Sequence, residues 1–213
     1  MSDYVDWYHD KMILKTKQAL EKNGFLVKIF SNGEAARDKF LSVVDKEDSV
    51  GIGGSTTIKD IGLFQHLVEN GYNIINPYVP DLTKKDMFEI RRKTLKAKYF
   101  IASSNALTMQ GELINIDGYS NRVAAIMFGP EKVFLFIGKN KIVYDMETGI
   151  ERAFNYAAPI NAKRLNKNTP CVKTGKCEDC NSDERICRNL TVTMRQNIKD
   201  RIHIFLINEE LGF

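Results

Sequence analysis

DSVGIGGSTTIKDIGLFQHLV, residues Asp48–Val68, is the stretch that decides the fold class. It reads as a short buried strand over Ser49–Ile52, a glycine turn at Gly53 and Gly54, and a helix that opens near Thr57 and runs to Asn70-Gly71. Glycine lets a chain turn sharply and brings its backbone close to a ligand with no Cβ in between. A helix start presents unpaired N–H groups and the positive end of its dipole. Strand, turn and helix together suit a phosphate or a carboxylate, and Ser55, Thr56 and Thr57 add hydroxyls. The same residues also read as a plain strand-to-helix turn closed by a Thr57–Asp60 capping box. No Gly-Lys-Ser/Thr follows, so the loop is not a Walker A. Gly51-x-Gly53-x-x-Thr56 lacks the third glycine of a dinucleotide fingerprint.

Working outward, strands and helices alternate on both sides. Upstream lie an amphipathic helix over Tyr4–Lys22, a strand over Phe25–Phe30 and a helix over Gly33–Val44. Downstream come a strand over Tyr72–Asn76, a basic helix over Asp81–Lys96 and a strand over Tyr99–Ala102. Alternation at this spacing predicts an α/β fold: a mostly parallel sheet with helices on both faces and right-handed crossovers. Ligands of such sheets gather beyond the carboxyl ends of the strands. The glycine turn falls at one such end and Ser103-Ser104-Asn105 at another.

Past Asn105 the pattern changes. Short strands are expected over Leu107–Met109, Glu112–Ile116, Lys132–Ile137 and Ile142–Tyr144, with a short helix over Asn121–Phe128. Met146–Leu165 reads as helix interrupted at Pro159. A polar, cysteine-bearing segment follows, then strands over Thr191–Met194 and Arg201–Ile207 that return to the main sheet. The expected organisation is an α/β domain over 1–165, a cysteine segment over 166–190 and returning strands over 191–213.

Composition narrows the partners. A net charge of +4 with both signs spread along the chain gives no basic stripe, so no nucleic acid is expected. No run approaches the roughly 18 apolar residues of a membrane span. The N-terminal stretch has acids and no apolar core, unlike a secretory signal. A cytoplasmic location is therefore expected, where cysteines stay reduced and serve metals more often than disulfides. His9, His66 and His203 are scattered and read as core or surface residues. Arg91-Arg92-Lys93 and the lysines after it read as a solvated helix face. Trp7 and Tyr8 suit either a core cap or a homodimer contact.

A second polar constellation is Asn105–Arg122, NALTMQGELINIDGYSNR. Glu112 and Asp117 are the candidate catalytic carboxylates, as acid/base or nucleophile. Asn105 and Asn121 can orient a substrate, and Arg122 can pair with an anion. With Gly53, Gly54, Ser55 and Thr56 they make the candidate site for a small anionic metabolite. The alternative is turn chemistry, for which Asp-Gly and Ser-Asn are well suited.

The run Gly-Glu-Leu-Ile-Asn-Ile-Asp-Gly-Tyr-Ser-Asn-Arg-Val-Ala-Ala (111–125), with Gly-Ile-Gly-Gly-Ser-Thr-Thr (51–57) upstream, resembles the lactate-utilisation (LUD) domain family over about Met12–Tyr144. The resemblance implies the fold of glucosamine-phosphate isomerases, ribose-phosphate isomerases and CoA transferases (NagB/RpiA/CoA transferase-like). That fold places anions at a strand–glycine–Ser/Thr loop. It also implies hydroxy- or keto-acid metabolism of the lactate type, in systems with iron–sulfur and flavin partners. The chain lacks the ferredoxin-type Cys-x-x-Cys-x-x-Cys runs of larger relatives, so it is not itself a multi-cluster carrier.

All four cysteines fall in one segment, as Cys171-x5-Cys177-x2-Cys180-x6-Cys187. Such clustering points to one tetrathiolate site. A [4Fe–4S] cluster takes four thiolates. A structural zinc does too, though zinc sites usually show two short knuckles and only one is present. The expectation is an iron–sulfur cluster with zinc as the alternative. The function expected is a redox-linked enzyme, or a transferase- or isomerase-like one, that binds a small anionic metabolite and meets a redox partner protein. The alternative is a non-catalytic accessory subunit with structural zinc that docks such a partner.

Overall fold

Long uninterrupted apolar runs mark strands buried on both faces, and three of them form the middle of the main sheet. The computed structural model describes residues 3–213. Its first half runs α1 (Asp3–Lys22), β1 (Leu26–Phe30), α2 (Gly33–Leu41), β2 (Val50–Ile52), α3 (Thr56–Asp60), α4 (Leu63–Glu69), β3 (Ile74–Ile75), α5 (Lys84–Lys93) and β4 (Tyr99–Ala102). Next come β5 (Ala106–Thr108), β6 (Leu113–Asp117), α6 (Asn121–Met127), β7 (Lys132–Gly138), β8 (Ile142–Val143) and α7 (Met146–Arg152). α8 (Ala158–Arg164), α9 (Pro170–Thr174), β9 (Asn189–Thr193) and β10 (Ile202–Ile207) complete it.

The main sheet has six strands in the order β1-β10-β7-β4-β2-β3, every neighbouring pair parallel. Alternation along the central strands sorts their side chains between two cores. Val133, Leu135 and Ile137 of β7 join Ile204 and Leu206 of β10 on one face, packed under α1, α6 and a second sheet. Phe134 and Phe136 join Ile101 and Phe205 on the other, under α2, α3 and α4. Phe40 of α2 meets Phe134 edge-on at 5.0 Å there. The expected α/β architecture with helices on both faces is observed.

Four details differ from the sequence reading. Strand Thr191–Met194, expected in the main sheet, forms β9 and pairs with β6 in a second sheet of order β8-β5-β6-β9. Its four strands were expected but their pairing into a separate sheet was not, because pairing depends on tertiary contacts that a strand's own residues do not specify. The helix after the glycine turn breaks at Gly62, whose φ of +69° lies in the left-handed region and splits α3 from α4. The helix over 146–164 does not stop at Pro159; it widens into a π turn at Ala153–Ala157, which accommodates a ring with no N–H to donate. Trp7 and Tyr8 do not cap the core and stand exposed on α1. Among the described residues no helix is long and apolar enough to cross a membrane.

Candidate functional site

β2, β4 and β7 point their carboxyl ends the same way, and a cavity of about 920 Å³ opens beyond them. Gly54, Ser55 and Thr56 enter it after β2, Ser103, Ser104 and Asn105 after β4, and Lys141 after β7. Asp117, Gly118, Tyr119, Asn121 and Arg122 form a further wall. The two segments singled out in the sequence, far apart in the chain, therefore share one cavity. α5 and the cysteine segment over 183–188 flank it, and the π turn contributes Ala157.

The glycine turn is built by close packing. Gly53 donates its N–H to the Ile101 carbonyl at 2.9 Å. A Cβ there would lie 3.1–3.2 Å from Ala102, Arg122 and Phe100, so Gly53 seats the loop against the sheet and does not line the cavity. A Cβ on Gly54 would lie 2.7 Å from the Tyr78 hydroxyl, so glycine is what admits Tyr78 to the cavity. Ser55 is the N-cap of α3, its hydroxyl accepting from the Ile58 N–H at 3.4 Å. The capping role expected of Thr57 thus falls to Ser55. Thr56 belongs to the cavity wall, and its buried hydroxyl has no hydrogen-bond partner among the described residues.

Arg122 is a brace. It donates to the Ser103 carbonyl (2.9 Å), Asn115 Oδ1 (2.6 Å), Asn105 Oδ1 (2.9 Å) and the Ile116 carbonyl (2.7 Å). Its Nε lies 3.6 Å from Asp117 Oδ2. Burial pulls the guanidinium below its ordinary value, opposed by the Asp117 carboxylate. Its donors are spent on the protein, which gives it the task of holding the β4–β5 loop against β6. Asp117 accepts from the Gly118 N–H at 2.9 Å and the Val123 N–H at 3.3 Å, capping α6 where Ser120, at φ +60°, supplies no side-chain cap. Asn105 and Asn121 line the cavity. Glu112 does not: it sits in the β5–β6 turn, its carboxylate accepting from the Thr108 hydroxyl at 2.8 Å. The structure thus gathers Gly54, Ser55, Thr56, Asn105, Asp117, Asn121 and Arg122, and leaves Gly53 behind the loop and Glu112 outside.

Three residues with no part in the sequence reading of the site stand inside it. Lys141 is 3 % exposed, and its Nζ donates to the Thr57 hydroxyl at 2.8 Å and the Ser103 hydroxyl at 3.0 Å. Burial pushes its amine down to about 7, helped by the charges of Arg152 and Arg122 and opposed by Asp60. Gly212, at φ +58°, crosses directly above; a Cβ on it would lie 3.3 Å from that Nζ and 2.6 Å from Thr57 Oγ1. Arg91, expected on a solvated face, turns inward. Its guanidinium lies 5.0 Å from the Tyr119 ring and 5.7 Å from the Phe88 ring, and its Nε and Nη1 are buried with no partner among the described residues. Tyr78 is the third. Helical phase carries a signal for Arg91, which falls three and four residues after Phe88 and Met87, also in the cavity wall. Nothing in the sequence separates Lys141 from Lys139.

A family model described as the LUD domain matches residues 13–207. The chain belongs to the LUD domain family. Its fold is also similar to the crystal structure of a DUF162 family protein from Deinococcus radiodurans, with a TM-score of 0.53 and 11 % identity, covering 93 % of this chain and 98 % of that one. No curated protein matches the chain.

In this LUD domain the four cysteines are free and partly buried. Burial pushes the Cys187 thiol up; the Arg185 charge opposes this, while Cys177 and Cys180 are near enough to add to it. Cys171 pairs its sulfur with the Thr169 hydroxyl at 3.2 Å. Among the described residues no three Cys, His, Asp or Glu side chains are already gathered about one point. Arg185 ties the segment together, donating to the Cys180 carbonyl at 2.7 Å and the Cys187 carbonyl at 3.1 Å.

Proposed function

We propose that this LUD domain binds a small anionic metabolite of the hydroxy- or keto-acid class in the cavity beyond β2 and β4. The observation that carries the reading is a pair of buried donor groups without hydrogen-bond partners on residues of the cavity wall, Arg91 and the Thr56 hydroxyl. A buried donor without a partner costs about 1–3 kcal/mol, and an anion supplies the acceptors that remove the cost. Eight lysines and arginines face the cavity against three carboxylates, which favours the same charge. The volume lies near the upper end for small-molecule sites, so a phosphorylated or thioester-linked acid fits as well as a bare one. Asp117 is the acid/base candidate that remains, being in the cavity and held in one orientation by two backbone N–H groups.

The reading extends to the cysteine segment. Cys171, Cys177, Cys180 and Cys187 would hold a [4Fe–4S] cluster, which when bound supplies one-electron chemistry beside the cavity wall and gives a redox partner protein a reason to dock. The placement of Cys177 and Cys180 near the Cys187 thiol supports one shared site. Iron, sulfide and zinc analysis of anaerobically purified protein tests it. Iron with matching sulfide supports the cluster; stoichiometric zinc returns the segment to a structural role and the chain to an accessory one.

The metabolite site is tested by calorimetric titration of lactate, pyruvate and phosphate into wild type and Arg91→Ala. A lost charged hydrogen bond is worth about 1.5–3 kcal/mol, so affinity should fall about tenfold or more, with little change in unfolding temperature. Equal affinity in both proteins would contradict the assignment.

A further inference from the structure

Lys141 is a deeply buried amine whose surroundings do not neutralise it as a structural lysine is neutralised. Its bonded partners are two hydroxyls, Thr57 and Ser103, and it reaches them from the end of a turn over Lys139–Lys141 that follows β7. The nearby charges are Arg152, Arg122 and Asp60, two of them repelling an ammonium. Arg152 is fixed there by bonds to the Asn105 and Asn140 carbonyls at 2.6 and 3.0 Å, so the repulsion is built into the fold. The residue nevertheless lines the cavity. A buried cation paired with hydroxyls and crowded by guanidinium groups gives no stability that an apolar side chain would not. A neutral amine in such a place is a nucleophile.

We propose that Lys141 forms an imine with the carbonyl carbon of an α-keto acid bound in the cavity, which makes the site specific for keto over hydroxy acids. The inference rests on the reading of the cavity as an anion site and adds a covalent step to it. The Nζ lone pair attacks the carbonyl carbon, and the carbonyl π pair moves to its oxygen. The resulting carbinolamine takes up a proton at that oxygen and gives one up from nitrogen. Water then leaves, and a carbon–nitrogen double bond remains. Ser103 and Thr57 hydroxyls, already on the nitrogen, are placed to relay those protons. The amine adds as the neutral form, which a value pushed down to about 7 leaves available near neutral pH. Hydrolysis of the imine returns keto acid and amine, so no oxidant or reductant is needed.

The test is reductive trapping of the full chain. Pyruvate or glyoxylate is added, then borohydride, whose hydride reduces the imine carbon to a stable secondary amine. Intact mass and peptide mapping follow. The expected result is a single adduct on Lys141, heavier by one keto acid less one oxygen atom, and its loss in Lys141→Met and Lys141→Arg. Lys141→Arg keeps a charge in place and guards against a variant that fails to fold, and Ser103→Ala should retain the adduct but form it more slowly. No adduct on Lys141 with either acid, or adducts spread over exposed lysines and unchanged in Lys141→Met, overturns the proposal. Calorimetric binding of lactate separates the two readings. If lactate and pyruvate bind but no adduct forms, the imine falls and the anion site stands; if neither binds, both fall.

Discussion

At the scale of single residues, the site rests on two buried cations with opposite situations. Arg122 has its donors spent on four protein acceptors and Asp117 beside it. Lys141 has two hydroxyls and no such compensation. The difference makes Lys141 a source of pH-dependent stability. Its amine titrates at about 7 in the folded protein, against an ordinary value of 10.5. Between those values the unfolded chain holds the additional proton, so stability rises with pH across that window, and the full cost of the buried ammonium is present below it. Lys141→Met carries no such charge. In urea unfolding from pH about 6 to about 10, the stability difference should shift in favour of wild type by at most about 1.4 kcal/mol per pH unit. The groups that share this environment, Arg152, Arg122 and Asp60, are the same in both proteins, so a constant difference would contradict the burial of the amine. Asp117 and Arg122, singled out because Asp-Gly and Ser-Asn-Arg are distinctive in sequence, do stand in the cavity wall. Their tasks were not legible, because a brace and a ligand-binding arginine have the same letter and differ only in who accepts from them.

Among the elements, the main strands were legible and the second sheet was not. β4 spans Tyr99–Ala102 as read, since four consecutive apolar residues between Lys98 and Ser103 leave little choice. β5, β6, β8 and β9 were each read as strands, but their pairing with one another rests on tertiary contacts that their own residues do not announce. The turn that joins β5 to β6 shows how tightly they are docked. Gly111, at φ +82°, lies so close to α1 that a Cβ would come within 2.8 Å of the Ala19 carbonyl carbon and the Leu20 nitrogen. Asn23 Nδ2 donates to the Gln110 and Gly111 carbonyls at 2.9 and 3.1 Å across the same junction. Gly111→Ala therefore combines left-handed strain with a backbone clash, and should lower unfolding free energy by about 1–3 kcal/mol or more. Chemical denaturation measures it; an unchanged midpoint would mean the turn is not pressed against α1. Glu112, next in the chain, belongs to this junction and not to the cavity, which is why its carboxylate was misleading in sequence.

Across the whole molecule, the order of strands explains why the site lies where it does. β10, last in the chain, is inserted between β1 and β7, so the main sheet is complete only when residues 202–207 are in place. Gly212 then passes over Thr57 and Lys141, its N–H donating to Asp60 at 2.8 Å. The cavity is lined by residues from both halves of the chain, and the glycine turn and the Asp117–Arg122 segment share it only in the assembled fold. Backbone amide spectra of isotope-labelled protein titrated with pyruvate test that arrangement most directly. If one cavity binds the anion, amides of Gly54–Thr56 and of Asp117–Arg122 shift together along one binding curve. Shifts confined to one of the two segments, or saturating at different concentrations in each, would contradict a single anion-binding cavity.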